Sequence, residues 1–113
     1  MCSTGYSVLT TSAFVKNLKR LAKKYRSLAA DLLVLEEQLL IEPTLGTALG
    51  KHCFKIRLAI TSKGNGKSGG ARVYTYVEIR DEVVYLIAIH DKSDKATLLD
   101  HEISAMLKDA GLD

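Results

Sequence analysis

Six cations and no acid lie between Glu42 and Glu78: Lys51, Lys55, Arg57, Lys63, Lys67 and Arg72. The formal net charge is only +3, so much of the basic character is focused here, where it can act on a polyanion. In HCFKIRLAI (52–60), strand alternation sends Phe54, Ile56, Leu58 and Ile60 to one face and Lys55 and Arg57 to the other. In ARVYTYVEI (71–79), Val73, Thr75, Val77 and Ile79 share a core face, and Arg72, Tyr74 and Tyr76 take the opposite one. If the two strands pair across TSKGNGKSGG (61–70), Lys55, Arg57, Arg72 and the tyrosines share one polar surface, with Lys63 and Lys67 in the loop beside it. Cations beside aromatic rings suit single-stranded nucleic acid, the cations meeting phosphates and the rings stacking on bases. An ordinary solvated strand face has the same alternation.

Other chemistries are excluded by spacing. Gly66-Lys67-Ser68 imitates a phosphate-binding loop, but the glycine needed five residues earlier is Thr61, and a strand rather than a helix follows. No GxSxG elbow and no serine or cysteine beside a predicted base supports a covalent nucleophile. Cys2 and Cys53 have no metal-binding spacing and are expected to be free thiols. His52, His90 and His101 form no ligand pair at helical spacing, so neither a metal nor another cofactor is expected.

The elements that must position the cations follow from periodicity. A chain of 113 residues is expected to form one domain, 1–113. It has no apolar run of membrane-spanning length, and its N-terminal residues lack a signal-peptide pattern, so no membrane partner and a cytoplasmic location are expected. GYSVLT (5–10) is a short strand, and Thr11 or Ser12 can cap the helix after it. Phe14, Leu18, Leu21 and Tyr25 make one apolar face on that helix. Lys16, Lys19, Arg20, Lys23, Lys24 and Arg26 fill the rest, as a solvated face or as a wider nucleic-acid footprint, partly balanced by acids of the next helix. Leu28, Leu32, Leu35 and Leu39 mark that second helix, widened by Leu33 and Leu40, with Ser27 as candidate cap and Pro43 ending it.

After a connecting loop, 42–50, come strands 52–60 and 71–79, a turn at Arg80–Glu82, and a third strand, VVYLIAIH (83–90), apolar on both faces and therefore central. A last helix carries Leu99, Ile103, Met106 and Ala110, with Gly111 as its stop. The order β-α-α-β-β-β-α predicts an α+β fold: a small antiparallel sheet of about four strands, a helical hairpin packed on it, and a C-terminal helix.

The run GKSGGARV at Gly66–Val73, with IHDKSDK at Ile89–Lys95, FVKNLKRLAKKYRSLAADL at 14–32 and LIEPTLG at 40–46, resembles the RelE/ParE superfamily of bacterial toxins, and most closely its HigB/RelE-type branch. The resemblance covers roughly residues 12–110. It implies a four-stranded antiparallel sheet with a helical hairpin on one face, and the toxin role in a type II toxin–antitoxin pair. RelE-type members cleave mRNA in the ribosomal A site; ParE-type members poison DNA gyrase. Carried over residue by residue, Lys55 and Arg57 match the paired basic residues of the active strand and Arg72 the arginine of the next, while Lys92 falls near a further basic position. Lys95 lies in the same matched segment and extends the expected RNA contact. The family's C-terminal tyrosine has no counterpart, because its position falls near Leu98. His90, Tyr74 and Tyr76 are candidates for its proton-transfer duty.

The implied chemistry is metal-independent RNA cleavage, with the RNA's own 2′-OH as nucleophile. Such an enzyme removes the 2′-OH proton, stabilises charge on the phosphate and protonates the leaving 5′ oxygen. Arg57 and Arg72 suit a bidentate phosphate clamp; Lys55 is a candidate base or electrostatic stabiliser; a histidine such as His90 suits either proton-transfer role. The expected partners are a cognate antitoxin, of the helix-turn-helix kind from a neighbouring gene, and mRNA on the ribosome. The competing readings are a ParE-like protein-binding toxin acting on gyrase and an inactive member that only binds its antitoxin.

Overall fold

The computed structural model describes residues 5–63, 70–91 and 98–112, with the side chain of Lys63 outside that description. The elements are β1 (Ser7–Thr10), α1 (Ser12–Lys24), α2 (Leu28–Ile41), β2 (Thr47–Gly50), β3 (Cys53–Leu58), β4 (Ala71–Glu78), β5 (Val83–Asp91) and α3 (Asp100–Asp109). A 3-10 turn at Thr61–Lys63 follows β3. The strands form one five-stranded sheet in the order β1-β5-β4-β3-β2, with β1 parallel to β5 and the other pairs antiparallel. The α+β class holds, with one strand more than expected. β2 occupies the stretch expected to be a loop, because TALG turns back along β3, pairing Thr47 with Lys55 and Ala48 with Phe54. Gly46 permits that return at a φ of 105°, and a Cβ there would stand 2.5 Å from the Lys55 carbonyl oxygen.

Helix α1 starts where its cap predicts: the Thr11 hydroxyl accepts from the Phe14 N–H at 3.2 Å. Phe14 and Leu21 are buried, and Leu18 and Tyr25 pack beside them. On α2 the stripe Leu28, Leu32, Leu35 and Leu39 is buried, but Leu33 points outward at 62% exposure and does not widen it. These residues meet Ile56, Leu58, Val73, Val77, Val84, Leu86 and Ile89 from the sheet, which forms the main core. Lys24 at the end of α1 pairs with the buried Asp91 of β5 at 3.5 Å rather than with an acid of α2. Among the described residues, no helix is long and apolar enough to cross a membrane.

The opposite face of the sheet is not the solvated surface that alternation suggests. Helix α3 covers part of it, and Cys53, Tyr74, Ile87, Ala88, Leu98, Ile103 and Leu107 make a second, smaller core there. The helix buries Ile103 and Leu107 and packs Met106 beside them, while Leu99 is 54% exposed and Ala110 is exposed, so the predicted stripe holds at its middle and not at its ends. Its end is fixed as predicted: Gly111 has φ 73°, with Gly111 N–H to the Lys108 carbonyl at 3.1 Å and Leu112 N–H to the Leu107 carbonyl at 2.8 Å. Burial pushes the Cys53 thiol up to about 11, which makes it an inert core group.

Ser27 does not cap α2. Its hydroxyl donates to Asp31 Oδ2 at 2.8 Å, and Asp31 also accepts from the Thr61 N–H at 2.9 Å and the Thr61 hydroxyl at 2.6 Å. This ties α2 to the turn from which the basic loop departs. Burial acts to raise the Asp31 pKa, but these hydrogen bonds to the carboxylate outweigh it and the net shift is downward. A lowered folded value means that Asp31 stabilises the fold above the unfolded carboxylate pKa of about 4 and loses that contribution as pH falls through the folded value. Asp31→Asn is expected to be less stable than wild type at neutral pH. The gap should shrink below about pH 4, as measured by urea-unfolding midpoints across pH.

Candidate nucleic-acid interface

Strand register brings the predicted cations into line. Arg57 of β3 lies directly opposite Arg72 of β4, and Arg72 lies directly opposite His90 of β5. With strands about 4.8 Å apart, the three side chains start from a row about 10 Å long across the sheet. Lys55 starts two residues along, opposite Tyr74. All five side chains leave the face that α3 only partly covers. Arg57 is exposed, Lys55 and His90 are half-buried, and Arg72 is buried at 8% exposure. Among the described residues, neither Lys55 nor Arg57 makes an ion pair. Like charges started directly opposite in an antiparallel pair are, as a rule, unfavourable for a sheet. Such a local conflict is expected where function, not stability, sets the residue.

His90 reaches this face because β5 carries an extra residue. Tyr74 pairs with Ala88 and Thr75 with Leu86, so Ile87 has no counterpart on β4. In strict alternation Val84, Leu86, Ala88 and His90 would all face the helical hairpin. Val84 and Leu86 do pack there, but after the bulge Ala88 joins the second core and His90 stands beside Tyr74. The Tyr74 and His90 rings lie 5.6 Å apart between centroids, tilted by 32°, and the Tyr74 hydroxyl is 3.3 Å from His90 Nε2.

That hydroxyl also accepts from the Leu98 backbone N–H at 2.8 Å. The Tyr74 hydroxyl and His90 Nε2 share a hydrogen bond whose direction follows the imidazole tautomer, and Nδ1 lies 3.4 Å from the Asp91 carbonyl oxygen. A phenol therefore sits against Leu98 after all, delivered from β4 rather than carried by the C-terminal segment. Tyr74 was expected to stack on a base, but at 0% exposure it presents no free ring face here. Tyr76 is half-buried between Tyr85 and His52, each 6.4 Å away between centroids, and stands apart from the arginine row. The α1 cations belong to the hairpin layer on the other side of the sheet. Lys67, Lys92 and Lys95 lie outside the described residues, as does the Lys63 side chain. The described chain resumes at Gly70 and stops at Asp91, both at the arginine end of the sheet.

No protein-family model and no curated protein matches the chain. Solved structures do. The free state of a mutant RelE toxin from E. coli aligns with TM-score 0.55 and 20% identity over 94% of each chain. A RelBE toxin–antitoxin complex from Mycobacterium tuberculosis aligns with TM-score 0.57 and 19% identity, over 82% of this chain and all (100%) of that one. The intact E. coli RelBE toxin–antitoxin complex aligns with TM-score 0.54 and 21% identity, over 77% of this chain and 96% of that one. The fold is that of the RelE toxins, so the resemblance read from the sequence holds in three dimensions.

Tyr74→Phe tests the hydroxyl's place. It leaves the Leu98 N–H buried without this acceptor, at a cost of about 1–3 kcal/mol, and releases His90 Nε2. The expected result is a lower unfolding midpoint together with a changed His90 tautomer, read from imidazole nitrogen shifts by NMR. Unchanged His90 nitrogens would show that Tyr74 does not set its proton.

Proposed function

We propose that this protein is the toxin of a type II toxin–antitoxin pair and that it cleaves mRNA on the ribosome, with the RNA's 2′-OH as nucleophile. The observation that carries the reading is the row of Arg57, Arg72 and His90 across three neighbouring strands. In it, two arginines start from directly opposed positions on neighbouring strands, close enough for both guanidinium groups to reach one phosphate. The likeness in fold to RelE toxins, two of them solved in complexes with antitoxins, supports the toxin role and a cognate antitoxin as partner.

In this mechanism Arg57 and Arg72 hold the scissile phosphate and take up the charge that grows on its oxygens. Lys55, two residues along β3, stabilises the same charge or receives the 2′-OH proton. The 2′ oxygen bonds to phosphorus as the bond from phosphorus to the 5′ oxygen breaks, which leaves a 2′,3′-cyclic phosphate. His90, steadied by Tyr74, supplies the proton to the departing 5′ oxygen. Lys92, Lys63, Lys67 and Lys95 extend the phosphate contacts along the strand. A protein of this kind acts in the cytoplasm, where translated mRNA is found.

Removing one preorganised donor costs about 2.7–4 kcal/mol, or roughly 10²–10³ in rate. Arg57→Ala is expected to lose that much cleavage. Arg72 is buried, so Arg72→Lys is the informative change: it keeps the charge but loses the bidentate fork. Lys24 contacts Asp91 and is a poor control; the exposed Lys19→Ala should cut as wild type does. Inducing the protein in bacteria should halt translation first and create new 5′ ends within codons, mapped by primer extension. Early DNA breaks with intact messages would identify a gyrase poison instead. Equal cleavage by the strand variants and the Lys19 control would remove the row from the mechanism.

A further inference from the structure

The arginine row continues round the edge of β3 into a cleft. Strand β2 pairs with β3 only as far as Thr47–Lys55, and the chain before Gly46 turns away to α2. Past Gly46, which lies against the Lys55 carbonyl and Ile56, the edge of β3 at Arg57 has no strand partner. The Val77 N–H donates to the His52 carbonyl at 2.9 Å, which fixes the ladder phase: His52, Phe54, Ile56 and Leu58 direct their backbone groups to β4. The backbone N–H and C=O of Arg57 consequently face outward, at the level where β2 supplies no residue.

A pocket lies there, between the last turn of α2 and this bare edge. Gln38, Glu42, Ile41, Leu45, Lys55 and Arg57 line it. Its chemistry is mixed. Ile41 and Leu45 give apolar walls. Gln38 offers both a donor and an acceptor, Glu42 a carboxylate, and the Arg57 backbone one N–H and one C=O. Among the described residues, Glu42 makes no ion pair with Lys55 or Arg57, although all three line the same space. A carboxylate and two cations that share a cleft without pairing suit a ligand that is anionic at one end and a hydrogen-bond donor at the other.

We propose that this cleft holds the nucleobase next to the phosphate bound on the Arg57–Arg72 row, with Glu42 as its specificity-determining residue. A nucleotide has the required polarity: phosphate to the cations, base into the cleft, base faces against Ile41 and Leu45. Single-stranded RNA is read through such splayed-out base edges. Among the four bases, guanine presents two adjacent donors, N1–H and the N2 amino group, which match the two oxygens of one carboxylate. Uracil presents a single donor flanked by two acceptors that a carboxylate repels. The cleft therefore selects guanine over uracil. The inference rests on the nucleic-acid reading above and adds to it where a base is read and by which side chain.

The test is amide chemical-shift titration of the intact chain with guanosine 5′-monophosphate, uridine 5′-monophosphate and ribose 5-phosphate at one ionic strength. Guanosine monophosphate should shift Gln38, Glu42, Leu45 and Arg57 and bind about tenfold or more tightly than the uridine nucleotide. Ribose phosphate should shift the arginine row alone. Glu42→Gln should abolish the preference and leave ribose phosphate binding unchanged, and Gln38→Ala should weaken base binding in the same way. If the row responds but both nucleotides leave the α2 side of the cleft unmoved, or Glu42→Gln keeps the preference, the base pocket is overturned and the phosphate row stands. If no phosphate compound shifts the row, the nucleic-acid reading itself falls, and the pocket with it.

Discussion

Ile87 decides which way the end of β5 faces. Side chains alternate with a period of two, so one extra residue reverses the assignment of everything beyond it. Before the bulge, Val84 and Leu86 pack under the helical hairpin; after it, Ala88 and His90 belong to the other face. Ile87 is itself buried, in the core beneath α3, so the bulge is held by packing and does not float in a loop. Without it, His90 would enter the hairpin core, where an imidazole would need a polar partner. Arg72 would then have a hydrophobic neighbour in place of a titratable one.

The sheet consequently has two unlike faces. One is a continuous apolar core under α1 and α2 and carries the bulk of the burial. The other is divided: α3 covers one part through Ile103 and Leu107, and the Arg57–Arg72–His90 row takes the end where α3 does not reach. Tyr74 stands at the boundary. Its ring is core, while its hydroxyl meets both His90 and the backbone leading into α3. The site is thus built on strands, which hold the starting points of the side chains in register, with Arg72 and Tyr74 buried and Arg57 exposed beside them.

What the residues disclosed by themselves follows from the range of each interaction. Lys55, Arg57 and Arg72 could be placed on one face because a period of two is local. The stripe Leu28, Leu32, Leu35 and Leu39 could be read for the same reason at helical spacing. His90 could be nominated but not oriented, since a bulge leaves no mark in an apolar run such as VVYLIAIH. The burial of Tyr74 depends on contacts with Leu98 and α3, far along the chain, so alternation alone made it look solvated. β2 was missed because TALG is short, carries a glycine and finds its place only by pairing. Ser27 looks like a cap until Ser62, arriving from beyond β3, and Asp31 take its hydroxyl. The Glu42 cleft was invisible for a further reason: it exists only because β2 stops pairing at Thr47.

The claim on which the account depends is that the Arg57–Arg72–His90 row is a phosphate site. The direct measurement is NMR of the side-chain Nε–H groups of Arg57 and Arg72, and of the His90 ring, during titration with a short RNA whose 2′ oxygens are methylated so that it cannot be cut. The account predicts that these three side chains shift together and with one dissociation constant, and that the constant weakens steeply with added salt. Shifts confined to the lysines of α1, with the row unmoved, would contradict it.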